Sequence, residues 1–230
     1  MGIKKKQEKD GSVRYKSRIV SKGFMQVPGV DYTEKFSPVA NDATTRIIIG
    51  LTLAYKDLGW KCESVDIEAA FLEGEIDTPS YMEWPPGSVD LGYVTQENRK
   101  KTCILLLKSI YGNVDAALRF NRLYATHLKS MGLIRSRTEA CFFFQKSEIG
   151  KMKLMVSIHV DDTLVAGNPM DIKFFKEGLR TRLVIKELGE LTQHLGIKYK
   201  WTQDEHGLKV VATMDTLINE TITLTETHLG

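Results

Sequence analysis

The sequence predicts an α+β fold built on an antiparallel sheet. Strand-like and helix-like segments alternate without a regular strand–helix–strand repeat. Two strand-like segments, residues 153–159 and 163–166, meet at Asp161-Asp162, a spacing that suits a hairpin. The 230 residues, 42% of them hydrophobic, are enough to bury a substantial core.

The elements follow in order. Residues 14–20 alternate as a strand does and set Lys16 and Arg18 on one face. Gly23, Pro28-Gly29 and Pro38 then mark a loop-rich passage. Asp42 is expected to cap a helix reaching Leu58, with Ile47, Ile48, Leu51, Ala54, Tyr55 and Leu58 as its apolar stripe. A strand is predicted over 61–67, then a turn or short helix over 68–72. Pro79, Pro85, Pro86 and Gly87 indicate irregular structure, and 102–108 fits a strand.

After Tyr111-Gly112 a helix over about 115–131 presents Ala116, Phe120, Leu123, Tyr124, Leu128 and Met131 on one side. Residues 142–146 form a further strand. Asn168 caps the next helix with Pro169 at its first position, and Ile172, Phe175, Leu179 and Leu183 face its core. The tail from Met214 is threonine-rich.

Composition removes several classes. No apolar run approaches the roughly 20 residues that cross a bilayer. Cys62, Cys103 and Cys141 are odd in number and widely spaced, which argues against a disulfide framework or zinc site and for three buried or half-buried thiols. The N-terminus is basic but has no apolar segment behind it, so an intracellular, cytoplasmic chain is the expectation. Net charge is +3, yet the first 35 residues hold nine Lys or Arg against four Asp or Glu. Such a segment permits a polyanionic partner; a pI near 8.6 does not establish one.

Two acidic positions stand out. Asp66 lies in Ser64-Val65-Asp66-Ile67-Glu68, and Asp161-Asp162 follow Ile158-His159-Val160. Both are flanked by apolar residues, so the sheet would place the carboxylates. If they converge, mutual repulsion calls for a divalent cation, as in sites that transfer phosphoryl groups. Taken alone, Asp161-Asp162 also fits a turn-forming pair.

Several segments, in order, resemble the reverse transcriptase domain of copia-type LTR retrotransposon polyproteins. Tyr15-Lys16-Ser17-Arg18-Ile19-Val20-Ser21-Lys22-Gly23-Phe24 resembles YKARLVAKGF, and the stretch from Val30 to Val39 resembles GIDYTETFSPV. Val65-Asp66-Ile67-Glu68-Ala69-Ala70-Phe71-Leu72 is similar to LDVKNAFL. Tyr81-Met82-Glu83-Trp84-Pro85-Pro86-Gly87 is similar to YMEQPPGF. His159-Val160-Asp161-Asp162 stands where the family has YVDD. Leu188-Gly189-Glu190-Leu191 and Leu195-Gly196-Ile197 match DLGEL and FLGI.

The resemblance implies a right-hand polymerase palm, an antiparallel sheet packed on helices, with partial fingers and little thumb. It places partial fingers in 1–60, palm in 61–200 with a fingers insertion near 82–106, and a connecting or thumb-like tail in 201–230. It implies RNA-directed DNA polymerase activity by two-metal nucleotidyl transfer, with an RNA template, a DNA primer strand and deoxynucleoside triphosphates as partners and no membrane. Asp66, Asp161 and Asp162 would be catalytic and bind two Mg²⁺ ions, Mn²⁺ being the alternative.

Lys16, Arg18, Phe71, Tyr111 and Gly112 would contact the incoming nucleotide, Phe71 as the gate against a 2′-hydroxyl. His159, Leu195 and Gly196 would support the primer end. The chain is expected to be part of a polyprotein, without its ribonuclease H, integrase and protease domains, and to belong in a virus-like particle when the element is active. A non-catalytic nucleic-acid-binding remnant is the alternative.

The family's YGLKQAPRAW segment reads Tyr111-Gly112-Asn113-Val114-Asp115-Ala116-Ala117-Leu118-Arg119-Phe120 here, so only its Tyr111-Gly112 turn carries over.

Overall fold

A computed structural model of the chain describes residues 2–7, 12–205 and 207–229. For residues 2–4, 6, 7, 14, 16 and 227–229 it describes the backbone alone, so the expected Lys16 side-chain contact lies outside the described residues. The order begins β1 (Gly2–Gln7), β2 (Val13–Arg18), α1 (Asp42–Ala54), β3 (Lys61–Ile67), β4 (Glu75–Met82), α2 (Gln96–Lys101) and β5 (Ile104–Lys108). It continues α3 (Ala116–Ser130), β6 (Ile134–Arg135), β7 (Phe142–Lys146), β8 (Met152–His159), β9 (Asp162–Gly167) and α4 (Pro169–Arg180). It ends β10 (Ile185–Glu190), β11 (Gln193–His194), β12 (Ile197–Asp204), β13 (Gly207–Thr213) and α5 (Asp215–Leu229). These strands pair antiparallel throughout, as the α+β expectation required.

The chain divides into two compact units, Met1–Pro38 with Ala69–Thr126, and Val39–Glu68 with His127–Gly230. In the first, β1 and β2 form one ribbon and β4 and β5 another. Against the irregular structure that Pro79 suggests from sequence, it lies inside β4. The register shift between Glu75 and Ser80 accommodates its missing N–H. Helix α2, also unexpected from the sequence, is capped by Thr95, whose side chain accepts from the Asn98 N–H.

In the second unit six strands run in the order β10-β3-β9-β8-β7-β6. One face carries Cys62, Leu164, Ala166 and Met155, which join Ile48 and Ile49 of α1, Trp60, Leu191 and Tyr199 in one core cluster. The other faces α4, whose Ile172, Phe175 and Leu179 are buried as expected; Lys176 reaches Glu63 there. Asn168 caps α4 through the Asp171 N–H. The β11-β12-β13 sheet follows β10, and Trp201 Nε1 donates to the Leu191 carbonyl at 2.7 Å. In α5 the hydroxyls of Thr221, Thr223 and Thr225 donate to the carbonyls four residues earlier.

Four further expectations need correction. The cap of α1 is Asn41, which accepts from the Ala43 N–H, and the helix stops at Ala54 before a 3-10 turn. Its buried stripe is Thr44, Thr45, Ile48, Ile49 and Thr52, while Ile47 and Leu58 are exposed. Three threonines take buried places that hydrophobicity alone does not assign. Cys103 is exposed; only Cys62 and Cys141 are buried. No described helix is long and apolar enough to cross a membrane.

Candidate active site

Strand register builds the acidic site. Asp66 on β3 pairs directly with Asp162 on β9, and Asp162 with His159 on β8. On the other side of β3, Lys186 of β10 pairs with Asp66. Directly paired residues share a face, so Lys186, Asp66, Asp162 and His159 form one row across four strands. The row lies on the face that carries Cys62 and Ala166, because strand residues two apart point the same way.

Asp161 is in the two-residue turn that joins β8 to β9, next to Val160 at φ 54°. The Ile67 N–H donates to the Asp161 carbonyl at 2.9 Å and ties the turn to the end of β3. A branched residue at positive φ is strained, and such strain persists only where surrounding contacts over-determine the backbone. Burial pushes the Asp162 carboxyl up, the charges of Asp161 and Asp66 push it further, and His159 opposes them. The charges of Asp161 and Asp66 therefore reach Asp162 through space. Among the described residues, no group of three or more His, Cys, Asp or Glu stands as a ready metal cage. The donor chemistry, oxygen-only carboxylates that repel one another, still fits a hard divalent cation.

His159 Nδ1 and His194 Nε2 are buried and have no hydrogen-bond partner. Burial, then the nearby His159, lowers His194 to about 4. Leu195 (φ 49°) and Gly196 (φ 82°) turn the chain between the paired residues His194 and Ile197. The left-handed geometry explains the glycine.

The first unit gathers four of the other expected residues. The Arg18 guanidinium lies over the Tyr111 ring, 5.1 Å from its centroid. Phe71 meets the same ring edge-on at 5.3 Å, and Ser109 Oγ donates to the Phe71 carbonyl at 2.7 Å. Arg18 Nε is buried without a partner. Gly112 has φ 90°, and a Cβ there would strike the Ser21 carbonyl oxygen. The Ser21 N–H donates to the Tyr111 carbonyl at 2.8 Å.

The divergent segment that follows supplies its own support. Asp115 and Arg119 form a buried ion pair at 2.6 Å, and Arg119 Nη1 also donates to the Glu75 carbonyl at 2.8 Å. Sequence reasoning did not single out Lys186, His194 or the Asp115–Arg119 pair. The four-residue helical spacing of Asp115 and Arg119 was a signal; for Lys186 none exists locally, because its place depends on long-range register.

An antiparallel sheet with strand carboxylates paired at a hairpin is compatible with a reverse transcriptase domain, and the comparisons identify the family. The chain belongs to the reverse transcriptase (RNA-dependent DNA polymerase) family, whose model matches residues 2–228. It is 34% identical over 198 residues, 85% of the chain, to the Retrovirus-related Pol polyprotein from transposon RE2 of Arabidopsis thaliana. Identity is 33% over 198 residues, again 85% of the chain, to the corresponding polyprotein from transposon RE1 of the same plant. It is 32% over 197 residues, 84% of the chain, to that from transposon TNT 1-94 of Nicotiana tabacum. The copia-type resemblance therefore stands. The chain spans 13% of the first two relatives and 14% of the third. No solved structure matches it.

Proposed function

We propose that the chain is the RNA-directed DNA polymerase core of a copia-type element, joining deoxynucleotides to a DNA primer along an RNA template. The observation that carries this reading is the row of Asp66, Asp162 and His159 with Asp161 at the hairpin tip. In this reading 61–200 is the palm, 1–60 and the stretch near 82–106 are fingers, and 201–230 is a thumb-like tail.

The primer 3′-hydroxyl gives up its proton to water as its oxygen bonds to the α-phosphorus of the incoming triphosphate, the α–β phosphoanhydride bond breaks, and pyrophosphate leaves with its electron pair. Asp66 and Asp161 would be the principal ligands of two Mg²⁺ ions, with Asp162 less directly engaged. Bound there, the metal would neutralise leaving-group charge and make the primer hydroxyl a better nucleophile. The Arg18 guanidinium, whose Nε has no hydrogen-bond partner in the protein, would pair with a phosphate oxygen, and Lys16 is expected to join it. The Phe71 ring blocks a 2′-hydroxyl. The Tyr111-Gly112 turn supports the incoming nucleotide, and His159 with Leu195-Gly196 supports the primer end.

The test is primer extension on an RNA template with Mg²⁺ or Mn²⁺, comparing the chain with Asp161→Asn. Extension abolished in the variant is the expected result, a loss of at least several hundredfold. RNA binding without extension by either protein would instead favour a non-catalytic remnant.

A further inference from the structure

Phe24 has the highest exposure of any large apolar side chain among the described residues, 86%. It sits on the 3-10 turn Gly23–Met25, and the turn is fastened at both ends. The Met25 N–H donates to the Lys22 carbonyl at 2.8 Å and the Gln26 N–H to the Gly23 carbonyl at 3.0 Å. Before the turn, the Ser21 N–H is bonded to Tyr111; after it, Gln26 Oε1 accepts from the Val114 N–H at 2.8 Å. Gly23 packs so closely on the Gly112 carbonyl that a Cβ would collide with it. An aromatic ring is thus held out from a backbone that is already ordered.

Among the described residues, unpaired lysines lie in the same segment as the ring. Lys22 and Lys35 are exposed, and Arg18 keeps a buried Nε without a partner. Of the carboxylates in the same segment, Glu34 pairs with Arg122 at 2.6 Å, while Asp31 keeps its charge and accepts from the Val27 N–H at 2.6 Å. A presented ring two residues from the exposed Lys22 cation fits single-stranded nucleic acid, in which base faces are open and phosphates lie close by. A duplex hides those faces.

We propose that Phe24 is a stacking platform for an unpaired base of the RNA template. The identity of the strand as template rests on the polymerase reading above. The stacking itself is measured without metal or nucleotide, so loss of catalysis leaves it readable. The ring is preorganised, so stacking orders little besides the base.

The experiment is fluorescence anisotropy of the full chain with an unstructured RNA of roughly ten nucleotides, in EDTA, over a range of salt. Phe24→Ala is expected to raise Kd by roughly 5- to 100-fold with an unchanged salt slope, since no charge is removed. Phe24→Trp should restore affinity, and its added emission should be quenched by RNA. Lys22→Ala should weaken binding through a shallower salt slope.

An unchanged Kd for Phe24→Ala overturns the proposal, as does a loss that Trp fails to rescue or one equally large for duplex RNA. Met25 and Phe36 are exposed in the same segment and would suit a protein occupant. If Phe24→Ala dissociates a dimer in sedimentation while RNA affinity holds, the ring serves a second copy of the chain and the proposal fails. Thermal midpoints of the variants matching the parent tie any change in affinity to the ring rather than to the fold.

Discussion

Asp162 shows how a polymerase carboxylate bears on folding. Its carboxyl is raised, first by burial and then by Asp161 and Asp66. A carboxyl raised in the folded chain contributes stability below its ordinary value and loses that contribution as pH rises through the folded value. At neutral pH without divalent cations, ionised Asp162 therefore opposes folding. Asp162→Asn should raise the thermal midpoint in EDTA at pH 7 by about 1–3 °C while reducing extension; a lowered midpoint in calorimetry would contradict this account. Phe71→Val should increase ribonucleotide incorporation relative to deoxyribonucleotide, and an unchanged ratio in single-nucleotide extension rejects the gate. Among the described residues, the non-glycine positions with positive φ are Ala69, Val160 and Leu195. Each lies within two residues of a residue with a proposed role: Phe71, Asp161 and Gly196. Strain gathered in this way is expected where function overrides local preference. The aspartates were legible because they sit in contiguous motifs. Lys186 was not, because its pairing with Asp66 is set across the sheet and leaves no local periodicity.

Elements read well where one local signal dominates. β3 runs over the seven residues predicted, and α4 begins at the predicted Asn168-Pro169 cap. Where tertiary contacts choose among comparable options, reading was weaker. In α1, burial fell on three threonines while Ile47 stayed exposed, a choice made by the packed sheet and not by hydrophobicity. Pro79 hid β4 because a bulge absorbs what proline normally forbids. The β11–β12 turn shows the reverse case, a conformation at odds with its residue. Both turn residues have positive φ, which favours Asn-Gly, yet the first is Leu195. Leu195→Asn should stabilise the chain by about 0.5–1 kcal/mol in urea unfolding. If Leu195 supports the primer, the same variant extends primers more slowly; unchanged extension would remove it from that role.

Across the whole molecule, His194 should dominate the acid limb of stability. Buried and neutral, it takes up a proton only near pH 4, whereas the unfolded residue does so near 6.5. The unfolded chain thus binds the extra proton first, so stability is level above pH 6.5 and falls as pH drops from 6.5 toward 4. The loss amounts to about 2–3 kcal/mol, and Asp162 titrates in the opposite sense. His194→Phe, the residue of the family's FLGI motif, should flatten the midpoint between pH 7 and 5; an equally steep fall would assign the acid limb elsewhere. A last consequence concerns the border of the six-stranded sheet. β10 is its outermost strand, and the extra residue Leu188 interrupts pairing with β3 between Glu187 and Gly189. Lys176 holds Glu63 and Glu187 at 2.5 and 2.7 Å, and Arg180 also binds Glu187. The arrangement that sets Lys186 opposite Asp66 thus leaves a kinked, charged rim that pairs poorly with a foreign strand and works against edge-to-edge aggregation.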